Sequence, residues 1–175
     1  MKTLPTTASR LRHFVPTTLL AAVLFAMTGV HAAELAKTMH AGHAWMRATP
    51  PNAPVAGGFV TLHNAGQADD RLVAVSSPDA QRVEIHEMRM DGGVMRMRQL
   101  ADGIPVRAGG KVELKPGGMH LMFIGPARVL KAGDRLRARF TYQRAATQEV
   151  DFAVQPVAAT AAPEQAHDHD LHADH

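Results

Sequence analysis

Two short strings carry the chemistry of this chain: His86-Glu87-Met88 and, further on, His120-Leu121-Met122. Each sets an imidazole and a thioether two residues apart, with Met95 and Met97 between the two strings. Along a β-strand, residues i and i+2 share a face, so each string presents one nitrogen and one soft sulfur side by side. The chain contains no cysteine, so no thiolate is available as an alternative soft donor. A mixture of imidazole and thioether suits Cu(I) far better than Mg²⁺, Ca²⁺ or Mn²⁺, which prefer oxygen.

The elements that must position these donors read as strands. Leu136, Ala138, Phe140 and Tyr142 alternate with Arg135, Arg137, Arg139 and Thr141, and Val150, Phe152 and Val154 with Glu149 and Asp151. Val112 and Leu114 alternate with Lys111, Glu113 and Lys115. Turn signals separate these runs: Asp91-Gly92-Gly93, Asp102-Gly103, Gly109-Gly110, Pro116-Gly117-Gly118 and Gly133-Asp134. Short amphipathic strands bounded by Gly, Pro and Asp predict an all-β fold, an antiparallel sandwich with one face of each strand buried.

Parity places the donors within that fold. In the strand Arg82 to Met88, Val83 and Ile85 form the apolar row, so Glu84, His86 and Met88 share the opposite face. In the strand Met119 to Ile124, Leu121 and Phe123 oppose His120 and Met122 in the same way. A two-residue type I′ turn at Asp91-Gly92 would pair Met90 with Gly93, Met88 with Met95 and His86 with Met97. Directly opposed Cβ atoms lie about 5 Å apart, so this hairpin would make His86 and Met97 neighbours. A three-residue loop would instead turn Met97 to the other face. Met88 is the substitute donor should Met97 point elsewhere, whereas Met90 and Met95 read as packing or surface residues.

The first 32 residues look like an export signal. Lys2, Arg10 and Arg12 precede the apolar run Leu19 to Met27, and Val30-His31-Ala32 offers small residues for cleavage. The apolar run is too short to span a bilayer, and no later stretch is apolar enough to do so. Removing this segment deletes three basic and no acidic residues, which leaves sixteen of each sign. The mature chain is then charge-balanced before histidine is counted, which gives no support for a nucleic-acid partner. An exported chain without cysteine avoids disulfide chemistry, and methionine is a soft donor that survives an oxidising compartment. The expected organisation is a signal peptide at 1–32, a β-sandwich domain at 33–157 and a disordered His-rich tail at 158–175.

At this point the residues resemble a known family. Val83-Glu84-Ile85-His86-Glu87-Met88, Gly93-Val94-Met95-Arg96-Met97-Arg98 and Val112 to Met122 are similar to the periplasmic copper chaperones called PCuAC. Upstream, Ala44 to Pro51 and Gly57-Gly58-Phe59 resemble that family's opening strands, so the likeness spans about residues 43 to 155. The resemblance implies a cupredoxin-like β-sandwich with Greek-key connections that binds Cu(I) through His86, Met97, His120 and Met122. It also implies a partner that accepts the copper, the CuA-bearing subunit of cytochrome c oxidase or another copper chaperone, and a periplasmic location.

The tail histidines His167, His169, His172 and His175 alternate with Asp168, Asp170 and Asp174. These harder donors suit Cu(II), and some relatives carry similar extensions that bind it, so the tail is a candidate secondary site. His40, His43 and His63 read as ordinary strand or loop residues. Blue-copper electron transfer needs a cysteine ligand, and the chain has no nucleophile elbow, nucleotide loop or zinc-hydrolase motif. A binding protein is therefore expected and an enzyme is not; copper sequestration for tolerance is the alternative to delivery.

Overall fold

The computed structural model describes residues 38–162. The expected export segment and the tail histidines His167, His169, His172 and His175 lie outside the described residues. Ten strands follow one another: β1 Met39–Arg47, β2 Val55–Asn64, β3 Asp70–Ser76, β4 Ala80–Asp91, β5 Val94–Gln99, β6 Ile104–Val106, β7 Lys111–Leu114, β8 Met119–Pro126, β9 Arg135–Tyr142 and β10 Gln148–Gln155. Among the described residues, no helix is long and apolar enough to cross a membrane.

The ladder runs β5-β4-β8-β2-β1-β10-β9-β3-β6, with β7 joined to β2. Neighbours are mostly distant in sequence, as Greek-key crossovers require. All pairings are antiparallel except one: β1 runs parallel to β10, with Trp45 beside Ala153 and Arg47 beside Gln155. The expected antiparallel sandwich is observed, with this one parallel seam added to it. Parallel pairing needs only a long connection between its strands, and here the rest of the domain supplies it.

β2 organises the half of the molecule that carries the site. Its first residues, Val55 to Gly58, pair with β8, whereas Val60 to His63 pair with β7. At the switch, a Cβ on Gly58 would lie 2.6 Å from Cε2 of Phe123, so only glycine lets that ring close over the strand. Phe123 then meets Phe152 edge to face at 5.5 Å, and Phe152 stacks on Phe140 at 6.2 Å. These rings come from β8, β10 and β9, so the contact joins the two halves of the ladder across the core. All three are fully buried, and each contributes on the order of 2–3 kcal/mol by leaving water. The inward rows are the predicted ones: Leu121 and Phe123; Leu136, Ala138, Phe140 and Tyr142; Val150, Phe152 and Val154.

β5 differs from the rest. It is an edge strand, every residue of it is exposed, and β4 alone holds it. Arg98 pairs with Glu87 and Arg96 with Asp91 across this ladder, which places charge along an otherwise open edge.

Candidate metal centre

The β4–β5 hairpin does turn through two residues, but they are Gly92 and Gly93, with φ of 57° and 81°. A type I′ turn needs positive φ at both central positions, and two glycines meet that without steric cost. Asp91 therefore stays in β4 and pairs with Val94. The expected register is overturned: Met97 opposes Met88, Met95 opposes Met90, and Gln99 takes the place opposite His86. The slip is two residues, and an even slip preserves the face of every side chain. Met97 thus stays on the face of Glu84, His86 and Met88, one pleat away from His86 rather than directly across from it.

β8 supplies the other half. His120 is the direct cross-strand partner of His86, and Met122 is that of Glu84. The two imidazole rings lie 5.9 Å apart, tilted by 34°. Metal–nitrogen bonds of about 2 Å put a shared ion about 3 Å from each ring centre, so bridging needs rings no more than about 6 Å apart. The observed separation meets that limit.

Met97 and Met122 flank the histidine pair from opposite corners of the same face. They are two strands apart and four residues along, about 16 Å between Cα atoms on a flat sheet. Two extended thioethers span only about 13 Å through one ion with metal–sulfur bonds of about 2.3 Å, so both reach one ion only if β5 closes toward β8. Met97 is about half exposed, at 48%, whereas Met122 is partly covered. Met88 lies on this face beside Met97, partly covered, and its backbone N–H donates to Gly118 O at 3.1 Å.

The hydrogen bonds assign each ring a role. His120 Nδ1 donates to the Gly118 carbonyl at 3.0 Å, which leaves the lone pair of the neutral ring on Nε2. His86 is held the other way round. Its Nε2 donates to Glu84 Oε2 at 2.9 Å, while Arg82 Nε donates to Glu84 Oε1 at 2.8 Å. Those bonds, first to Arg82 and then to His86, keep the Glu84 carboxyl below the ordinary carboxylate range. His86 Nδ1 is buried and has no hydrogen-bond partner, the one such side-chain atom among the described residues.

Not every histidine joins the pair. His40 and His63 oppose one another across β1 and β2, and His43 occupies a bulge of β1 with φ of 52°. Among the described residues, no three His, Asp or Glu side chains gather as a metal-binding group. The sequence reading placed Glu84 on the correct face but gave it no role, and it passed over Gly118, whose contribution is a backbone carbonyl. Strand parity could have pointed to Glu84; nothing in the sequence marks that carbonyl.

Over residues 39–154 the chain matches the family profile described as putative lipoprotein LpqE-like. It is 28% identical over 142 residues to the putative lipoprotein Lxx21020 of Leifsonia xyli subsp. xyli, covering 76% of this chain and 84% of that protein. Its fold is similar to the copper-bound PCuAC domain from PmoF2, with a TM-score of 0.58 and 21% identity, over 69% of this chain and 95% of that one. It is similar also to the Cu(I) form of DR1885 from Deinococcus radiodurans in solution, with a TM-score of 0.55 and 24% identity, over 68% and 78% of the two chains. The β-rich ladder is thus the cupredoxin-like fold of PCuAC domains, and the chain belongs to the LpqE-like family.

Proposed function

We propose that this protein is a copper chaperone that holds Cu(I) between His86 and His120, with thioethers from Met122 and, once the edge strand β5 moves in toward the pair, Met97, and passes it to a partner protein. One observation carries the reading: a buried imidazole nitrogen without a partner, on a ring 5.9 Å from a second histidine. A buried polar atom left unpaired costs about 1–3 kcal/mol, and a metal ion would remove that cost. Thioethers from Met97 and Met122 make the donor set soft, which favours Cu(I) over harder ions. Relatives of the same fold are described as copper-bound, which agrees with the donor chemistry.

Delivery follows from the unequal cover of the donors. Met97 sits on an exposed edge strand held from one side, so a ligand from a partner can replace it while the two histidines still hold the ion. Neutral thioethers bind less tightly than thiolates, which suits exchange. The acceptor we infer is the CuA centre of cytochrome c oxidase or another copper chaperone, reached in the periplasm after removal of residues 1–32. The His-rich tail would collect Cu(II) at His167, His169, His172 and His175. The proposed role is binding and transfer, with no catalytic step.

The test is a Cu(I) titration against a competing chelator, with and without residues 158–175, followed by mixing with an apo CuA domain. One Cu(I) site in the truncated chain, emptied by the acceptor, is the expected result. Retention of the metal would move the reading to sequestration, and absence of a Cu(I) site would overturn it.

A further inference from the structure

Resting on the copper reading, we propose that Glu84 is a positioning residue that selects the ligand atom of His86, so that the two histidines present unlike nitrogens: Nδ1 from His86 and Nε2 from His120. The argument starts from the neutral imidazole, which has one N–H and one lone pair; whatever accepts the N–H decides which nitrogen remains for a metal. For His120 the acceptor is Gly118 O, 3.0 Å from Nδ1. For His86 it is Glu84 Oε2, 2.9 Å from Nε2. The remaining nitrogen of His86 is the buried, unpartnered Nδ1.

The two acceptors differ in kind. Gly118 O is a backbone atom that also accepts from Met88 N at 3.1 Å, so it is fixed by the β4–β8 ladder. Glu84 is a side chain two residues before His86 on the same strand, steered in turn by Arg82. One ring is therefore oriented by the sheet, which substitution cannot remove, and the other by a carboxylate, which it can. An ionised acceptor also strengthens the hydrogen bond and raises the basicity of the ring.

Glu84 also stands directly across from Met122, so the carboxylate occupies the corner of the face that the second thioether must share. Each of its oxygens already accepts one hydrogen bond, from Arg82 or from His86, which makes the hard carboxylate a poorer competitor for a soft ion than the thioether at that corner.

Long-range ¹H–¹⁵N spectra of the histidine rings in the metal-free protein test this without any variant. The expected result is an Nε2–H tautomer for His86 and an Nδ1–H tautomer for His120; the Nδ1–H form at His86 would overturn the proposal. Adding Cu(I), which is diamagnetic, should then shift Nδ1 of His86 and Nε2 of His120. Glu84→Ala should mix the His86 tautomers and weaken Cu(I) binding ten- to a hundredfold, whereas Glu84→Gln, whose amide oxygen still accepts the N–H, should restore the tautomer and most of the affinity. Unchanged tautomer and affinity in Glu84→Ala would refute the role of Glu84 while leaving the copper reading intact. Failure of the wild-type protein to bind Cu(I) would remove the copper reading while the tautomer measurement still judged Glu84.

Discussion

Two buried polar centres of this molecule have been treated in opposite ways. At the start of β3, Asp70 is 6% exposed and fully served: Oδ1 accepts from the backbone N–H of Arg71 and Arg144, and Oδ2 from that of Ala145. Nearby Asn64, wholly buried, donates to Ala68 O and Val106 O and accepts from Gly66 N. At the β4–β8 face, His86 keeps one nitrogen paired and leaves the other, which is buried, unpaired. Buried polar groups are normally satisfied, and an exception calls for an explanation. The satisfied centre ties loops to strands; in the function proposed above, the unsatisfied one is where the ion binds. Burial and Asp70 also push the Tyr142 phenol upward, a sign of how closed the first centre is.

The comparison can be broken most directly at the histidines. His86→Ala combined with His120→Ala should lower Cu(I) affinity by roughly a thousandfold, about 4 kcal/mol, as read by chelator competition. Its urea midpoint should move little, because neither ring belongs to the hydrophobic core. Retained Cu(I) binding in that double variant would erase the functional half of the contrast.

Asp70→Ala should do the reverse. It strands three backbone N–H groups and should cost about 2–4 kcal/mol in denaturant unfolding, while the folded protein keeps its Cu(I) affinity. A loss of affinity in step with stability would mean that the two centres are not independent.

Gly103→Ala sharpens the structural side further. Gly103 has φ of 74°, and an added Cβ would lie 2.0 Å from Leu72 O, at the β3–β6 pairing. A loss of about 1–3 kcal/mol is expected, again without effect on copper; a stability equal to wild type would show that this edge yields easily.

The smallest effect separates two thioethers. Met97→Leu should weaken Cu(I) binding about tenfold, about 1.4 kcal/mol, at nearly unchanged stability. Met88→Leu should change affinity by less. The opposite ranking would make Met88 the ligand, a switch that the register permits because the two residues face one another.

How much of this was legible in the sequence depends on the range of the interaction. The inward and outward rows of β4, β8, β9 and β10 were readable because alternation is a local property of a strand, and every expected row is observed. The hairpin register was misjudged because Asp91-Gly92 and Gly92-Gly93 both suit a two-residue turn; the second prevailed because both of its residues tolerate positive φ. That error moved Met97 along the strand, one pleat away from His86, without changing its face. The parallel seam of β1 with β10 joins residues more than a hundred positions apart, and no local pattern announces it. Glu84 was visible on the donor face, but its hydrogen bond to His86 depends on side-chain conformations that strand parity does not specify.

By itself the sequence determined which donors exist and which way they face: two imidazoles and several thioethers, no thiol, each on the outward row of an alternating strand. Those properties belong to residue type and to the pleat. Tertiary structure decided that His86 meets His120, because β4 and β8 are neighbours only through a Greek-key crossover. It also decided that the ring of His86 is covered while one of its nitrogens is left without a partner. Burial and hydrogen-bond satisfaction are properties of what surrounds an atom in space, and for these two rings the surroundings come from strands far apart along the chain.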